Sequence, residues 1–150
     1  MKKLGVSIIG CFMFFSCAGQ RPENLGVHSG KLADCPGKPN CVSSQVSDKA
    51  HFVAPITYQE EKLAALMRLK RTIESIKNTT IIKETENYLR IECKSAMMGF
   101  VDDMEFYFPE EKVIHLRSAS RIGYSDFGVN RKRAEKIRKL FNAEANNEQK

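Results

Sequence analysis

The chain has few histidines, no long apolar run and no familiar catalytic signature. Its three histidines, His28, His51 and His115, fall into no zinc-like spacing with the cysteines, whereas zinc takes four Cys or His ligands at recognisable intervals. No serine or cysteine sits in a nucleophile elbow or beside an evident His and Asp retinue, so a hydrolytic triad has no support. No metal site and no cofactor is expected. Internal repeats and low-complexity segments are absent as well. The longest apolar stretch, Leu4 to Phe15, is well short of the roughly 20 residues that span a bilayer.

That short stretch is informative by its context. Lys2 and Lys3 precede it, and Ser16-Cys17-Ala18 follows. A basic start, a short apolar core and small residues before a cleavage point describe a secretory signal. Phe14-Phe15-Ser16-Cys17 resembles a bacterial lipobox, with Phe14 in place of the usual leucine. The expectation is a signal peptide over 1–16, with Cys17 as the lipidated first residue of the mature chain. The alternative is an ordinary cleaved signal with an incidental cysteine. Ala18 after the cysteine, by resemblance to enterobacterial sorting, implies the outer membrane facing the periplasm.

Losing Lys2 and Lys3 lowers the Lys plus Arg count from 24 to 22 against 18 acids, a formal charge of +4. Outside the cytoplasm a basic protein meets little nucleic acid, and none is expected as a partner. Lipid head groups or small anions are the matching partners, besides the membrane reached through the anchor. Positive charge is concentrated from Lys112 to Leu140, where nine Lys or Arg face only Asp126 and Glu135. On a helix this is a solvated face, or a patch held to an anionic membrane.

Cys35 and Cys41 flank Pro-Gly-Lys-Pro-Asn. In an oxidising envelope such a pair reads as a local disulfide, the alternatives being two metal ligands or two reduced thiols. Cys93 lies in an alternating strand and reads as a buried thiol.

Residues 17–31 read as a tether, 32–141 as one domain and 142–150 as a disordered tail. A first helix is predicted from Thr57, with Glu60 completing a capping box. Leu63, Leu66, Met67, Ile73 and Ile76 form its apolar stripe, with Lys62, Arg68, Arg71 and Lys77 elsewhere on the cylinder. Four strands follow, over 80–85, 88–94, 101–108 and 113–119. Alternation sends Leu89, Ile91, Cys93, Met104, Phe106, Phe108, Ile114 and Leu116 inward. Matching the inward sets pairs Phe106 with Leu116, Glu105 with Arg117 and Asp102 with Ser120. A last helix runs from about Phe127 to Phe141, capped by Ser125 or Asp126. The predicted fold is a two-layer α+β domain: helix, four antiparallel strands, helix, with both helices on one face of the sheet.

Function concentrates in residues 99–138. Asp103 and Glu105 share an outward face, suited to a hard cation or simply to pairing with Arg117. Asp102 falls on the core face and needs a partner, which Arg121 or the helix start near Asn130 would supply. Arg117 and Arg121 frame Ser118-Ala119-Ser120 and are spaced to hold a carboxylate or phosphate. Arg131 in the first helical turn is unfavourable unless negative charge lies close. Asp102, Arg117, Ser120, Arg121, Tyr124, Asp126, Asn130 and Arg131 are thus expected to form one ligand-binding corner.

Three blocks carry a resemblance. Pro39-Asn40-Cys41-Val42-Ser43-Ser44, Phe100-Val101-Asp102-Asp103-Met104-Glu105-Phe106 and Arg117-Ser118-Ala119-Ser120-Arg121-Ile122-Gly123-Tyr124-Ser125-Asp126 closely resemble those of the family catalogued as domain of unknown function 1499. Gly128-Val129-Asn130-Arg131-Lys132-Arg133 extends the last, and the resemblance covers about Leu32 to Leu140. It implies an exported or lipid-anchored bacterial protein and no agreed activity, substrate or catalytic residue.

The expectation for function is therefore a lipid-anchored envelope protein that binds an anionic or polar ligand without catalysis. An enzyme acting on an envelope or lipid-derived substrate, with Asp102 or Asp103 as acid–base, is the second reading. A structural or partner-binding lipoprotein is the third.

Overall fold

The computed structural model describes residues 19–148, with side chains to residue 145. The signal segment and Cys17 lie outside the described residues. The elements run β1 (Cys41–Ser43), β2 (Ile56–Thr57), α1 (Lys62–Glu74), β3 (Thr79–Thr85), β4 (Tyr88–Lys94), β5 (Val101–Tyr107), β6 (Val113–Ser120) and α2 (Val129–Glu148). The four expected strands are β3 to β6, and they form an antiparallel meander, with a turn at Glu86 and Asn87. The expected register also holds: Phe106 faces Leu116, Glu105 faces Arg117 and Asp102 faces Ser120.

The predicted order lacks two short strands. β1 pairs antiparallel with β6, extending the sheet to the order β1-β6-β5-β4-β3, and β2 pairs with β6 further along. Three-residue and two-residue strands carry too few positions for alternation to register. This moves the start of α1. Thr57 lies in β2 opposite Val113, and α1 begins five residues later at Lys62 with no side-chain cap from Glu61. Glu60 pairs with Arg68 instead of closing a capping box.

The core lies between the helices and the sheet's inner face. Phe106, Phe108, Ile91, Leu89, Met104, Ile114 and Leu116 meet Leu69, Ile73, Ala134, Ile137 and Phe141, all essentially inaccessible. The stripe of α1 is rotated from expectation: Leu63 and Met67 are exposed, whereas Ala65, Leu66, Leu69, Thr72 and Ile73 are buried. Arg68 is buried too. Its guanidinium carbon lies 3.8 Å over the Phe141 ring, and it donates to Glu60 and to the Phe141 carbonyl. The aliphatic stem and planar head let a cation occupy a core-facing position when ring and acceptors meet it. α2 continues through Glu148, so the expected frayed tail from Asn142 is largely helical.

Residues 19–31 are not a free tether. They lie along the sheet's outer face: Arg21 pairs with Glu92 at 2.7 Å, and the Gly26 N–H donates to Glu105 at 2.7 Å. Residues 34–40 continue across that face, with the Arg117 guanidinium directed at the Asp34 carbonyl. Cys35 and Cys41 are joined by a disulfide that holds this segment beside β1. Cys93 is a free, buried thiol whose pKa burial pushes up to about 11. Replacing Cys35 and Cys41 with alanine is expected to lower stability by about 2 kcal/mol, the chain-entropy value for so small a loop. Urea midpoints of parent and variant measure it directly.

Candidate functional site

Because strand side chains alternate, Asp102 and Asp103 face opposite sides of β5 and enter separate networks. On the inner side, Arg133 donates to Asp102 at 2.7 Å. Arg133 also donates to Asn130 Oδ1 at 2.8 Å. Asn130 is fully buried. It accepts from Ser118 Oγ at 2.5 Å and donates to the Asn40 carbonyl at 3.1 Å and to Ser120 Oγ at 3.0 Å. This cluster fastens the first turn of α2 to β6 and to the residue preceding β1. Of the two expected sources of a partner for Asp102, the helix start near Asn130 supplies it, through Arg133, and Arg121 does not. Arg133 lies one turn inside the helix, where charge pattern alone assigns it to solvent.

On the outer side, Arg121 grips Asp103 with Nε at 2.7 Å and Nη2 at 2.9 Å, and also pairs with Glu92. Arg117 donates to Glu105 at 3.2 Å, and Tyr88 donates its phenol to the same carboxylate at 2.7 Å. Burial raises the Tyr88 phenol above its ordinary value, and the Glu105 charge adds to that. The expected outward face of Asp103 and Glu105 is therefore buried, beneath residues 19–38. Among the described residues, no group of acidic, His or Cys side chains is placed to hold a metal ion.

Burial pushes the Glu92 carboxyl up, but hydrogen bonds from Arg21 and Arg121 outweigh it and hold the group below the usual carboxylate range. A carboxylate depressed in the folded state adds stability above its unfolded pKa and loses it as pH falls through the folded value. Urea midpoints of the parent and a Glu92→Gln variant are therefore expected to differ at neutral pH and converge below about pH 4. A constant difference across that range would refute the pairing.

The anion hint at the helix start has an internal answer. Asp126 accepts from the Gly128 N–H at 2.9 Å and the Asn130 N–H at 2.8 Å, so it caps α2 itself. Arg131 tolerates its position because its guanidinium reaches the Ala50 and Phe52 carbonyls, both at 2.6 Å. Tyr124 is 69% exposed and lies with Asp126 and Arg131 along a shallow recess beside Ala50 and His51. His51 pairs with Asp48, which raises its pKa, and its other nitrogen meets the Lys38 carbonyl. His115 stacks on Tyr107, which it faces across β5 and β6, and contacts Ser44 Oγ at 3.1 Å; burial lowers its pKa.

The predicted corner thus separates into three places: Asp102, Ser120 and Asn130 within, Tyr124, Asp126 and Arg131 at the helix start, and Arg117 and Arg121 on the outer face. The third place borders a cleft of about 550 Å³, between residues 22–24, the disulfide loop and the ends of β5 and β6. Lys38, Asn40, Arg117, Ala119, Ser120 and Arg121 line it. Lys38 is exposed, whereas Asn40 and Arg117 are almost fully buried. Each carries a buried polar atom without a partner, Oδ1 in Asn40 and Nε in Arg117. The Asn40 amide nitrogen donates to the Gly123 carbonyl at 2.9 Å, which fixes its oxygen as the unmatched acceptor. Sequence reasoning missed Lys38 and Asn40. Their position against the sheet depends on how a strand too short to show a period packs.

The family model described as "Protein of unknown function (DUF1499)" matches residues 31–141. The chain belongs to the DUF1499 family. The match begins within the outer-face segment and ends in α2, so it takes in both networks and most of the cleft, but not Arg21 or Gly26. No curated protein matches the chain.

Proposed function

We propose that this DUF1499 member is a lipid-anchored protein of the cell envelope, in the outer membrane facing the periplasm. Its domain binds a small anionic or polar ligand in the outer-face cleft, without catalysis. One observation carries the ligand reading: two buried side chains lining the cleft, Arg117 and Asn40, hold an unmatched donor and an unmatched acceptor. Buried polar groups are ordinarily paired; unmatched Nε atoms also occur at Arg68, Arg90 and Arg138, and what is particular to this cleft is an unmatched donor and an unmatched acceptor together in its lining. Lys38 at the rim adds a cation.

The acid–base reading has less support. Both Asp103 oxygens are engaged by Arg121, and Asp102 is held by Arg133. Native mass spectrometry of the full chain purified from its own membranes tests the binding reading. A bound small molecule is expected on the parent and lost in Ala119→Leu, which fills the cleft floor, at unchanged melting temperature. A parent that carries no adduct, or a variant that keeps it, sinks the reading. Crosslinking that recovers a single abundant envelope protein would favour a partner-binding role.

A further inference from the structure

One end of the sheet is unusually apolar for an exposed surface. The β4–β5 turn leaves Met97 94% and Met98 60% exposed, with Phe100 beside them. The loop from β6 to α2 leaves Ile122, Tyr124 and Phe127 exposed, Phe127 by 89%. Strand pairing puts both loops at the same end. Lys94 pairs with Val101, Asp102 pairs with Ser120, and the Arg121 N–H donates to the Val101 carbonyl at 3.2 Å. Phe127 has φ 53°, a left-handed conformation that a bulky side chain rarely takes. The turn therefore holds an aromatic ring in solvent at a conformational cost, which points to a role outside the core. Lys94 and Lys132 add exposed cations beside these loops.

The start of the described chain is at the same end. A side chain at Gly19 would begin 2.8 Å from Ile122 Cγ2 and 2.9 Å from Arg121 Cβ, so its backbone packs directly on the β6 exit. Cys17 is two residues away, and two residues span at most about 7 Å. A lipid on Cys17 would therefore enter the bilayer beside Ile122, with no slack to let the domain drift away.

We infer that this end of the domain docks on the membrane surface, with the Met97, Met98 and Phe127 side chains inserted at the interface next to the Cys17 anchor. Apolar residues with a cationic fringe are the composition of an interfacial surface. The lipid supplies attachment, and the loops fix orientation. The outer-face cleft, bordered by Arg121, Ile122 and Gly123, then opens close to the head groups. The inference rests on lipidation of Cys17, so its test reads anchoring and docking separately.

The full chain is purified with its native modification and reconstituted in vesicles of phosphatidylethanolamine and phosphatidylglycerol. Nitroxide labels are placed singly through Met98→Cys, Phe127→Cys and, at the opposite end, Glu86→Cys. Cys35 and Cys41 are bonded and Cys93 is buried, so the new thiol takes the label. Labels at 98 and 127 are expected to be several-fold more accessible to oxygen than to a water-soluble nickel chelate, and the label at 86 the reverse. Tyr124→Cys stands in for either position should its label lower the melting temperature. Lipid mass on Cys17 with nickel-accessible labels at both ends overturns docking and leaves the anchor standing. Absence of lipid on Cys17 overturns the anchor and the inference with it.

Discussion

Arg117→Met is expected to destabilise the domain by about 3–5 kcal/mol, the cost of leaving a buried carboxylate without its cation. Glu105 is wholly inaccessible and Arg117 nearly so. With the guanidinium gone, Glu105 keeps only neutral donors, the Tyr88 phenol and the Gly26 N–H. Glu105→Gln in the Arg117→Met background removes the stranded charge and keeps an acceptor for Tyr88. The double variant is therefore expected to recover most of the loss, giving a coupling energy above about 2 kcal/mol. Urea unfolding of the four proteins measures it. A cost below about 1 kcal/mol for Arg117→Met would falsify the buried pair, since that is the range of solvent-exposed ion pairs.

Asn130 should show the second large effect. Asn130→Ala deletes the group joining α2 to β6 and to Asn40, and it leaves Ser118 Oγ and Arg133 each short of an acceptor. At about 1–3 kcal/mol for each buried group left unmatched, a loss near 3 kcal/mol is expected. Asn130→Asp discriminates the mechanism. It preserves shape and the Oδ1 acceptor, but turns a carboxylate oxygen toward the Asn40 carbonyl and adds charge near Asp102. Aspartate is therefore expected to be no better than alanine. An aspartate variant as stable as the parent would mean that the amide nitrogen contributes nothing.

Where a period governs position, the fold could be read from the sequence. Two-residue alternation along β4, β5 and β6 set the inward face and the pairing of Phe106 with Leu116, and the structure keeps both. The same parity separates Asp102 from Asp103 and sends Arg117 and Arg121 away from Asp102. The single corner failed because nearness at one end of the sheet was allowed to override which face each residue takes. Other departures had no period to reveal them. Residues 19–40 are irregular and polar, so nothing in their pattern told that they cover Asp103, Glu105 and Arg117. Arg68 and Arg133 look like solvent-facing helix positions until the Phe141 ring and the Asp102 carboxylate are seen beside them. Thr57 satisfied a helix-cap pattern and a β-branched strand preference equally, and the pairing with Val113 decided between them.

The path of the chain across the outer face also has a consequence in time. Arg21 and Gly26 meet Glu92 and Glu105, β1 meets β6, and Asn40 meets Asn130. Every one of these partners is synthesised at least 71 residues after the group it receives. The part of the domain made first is the part seated late, since closing such long loops precedes any reward from the contacts. A nascent chain stopped after β4 would carry residues 19–40 with most of their partners still missing, a polar stretch open to proteases until β5, β6 and the first turn of α2 arrive to receive it.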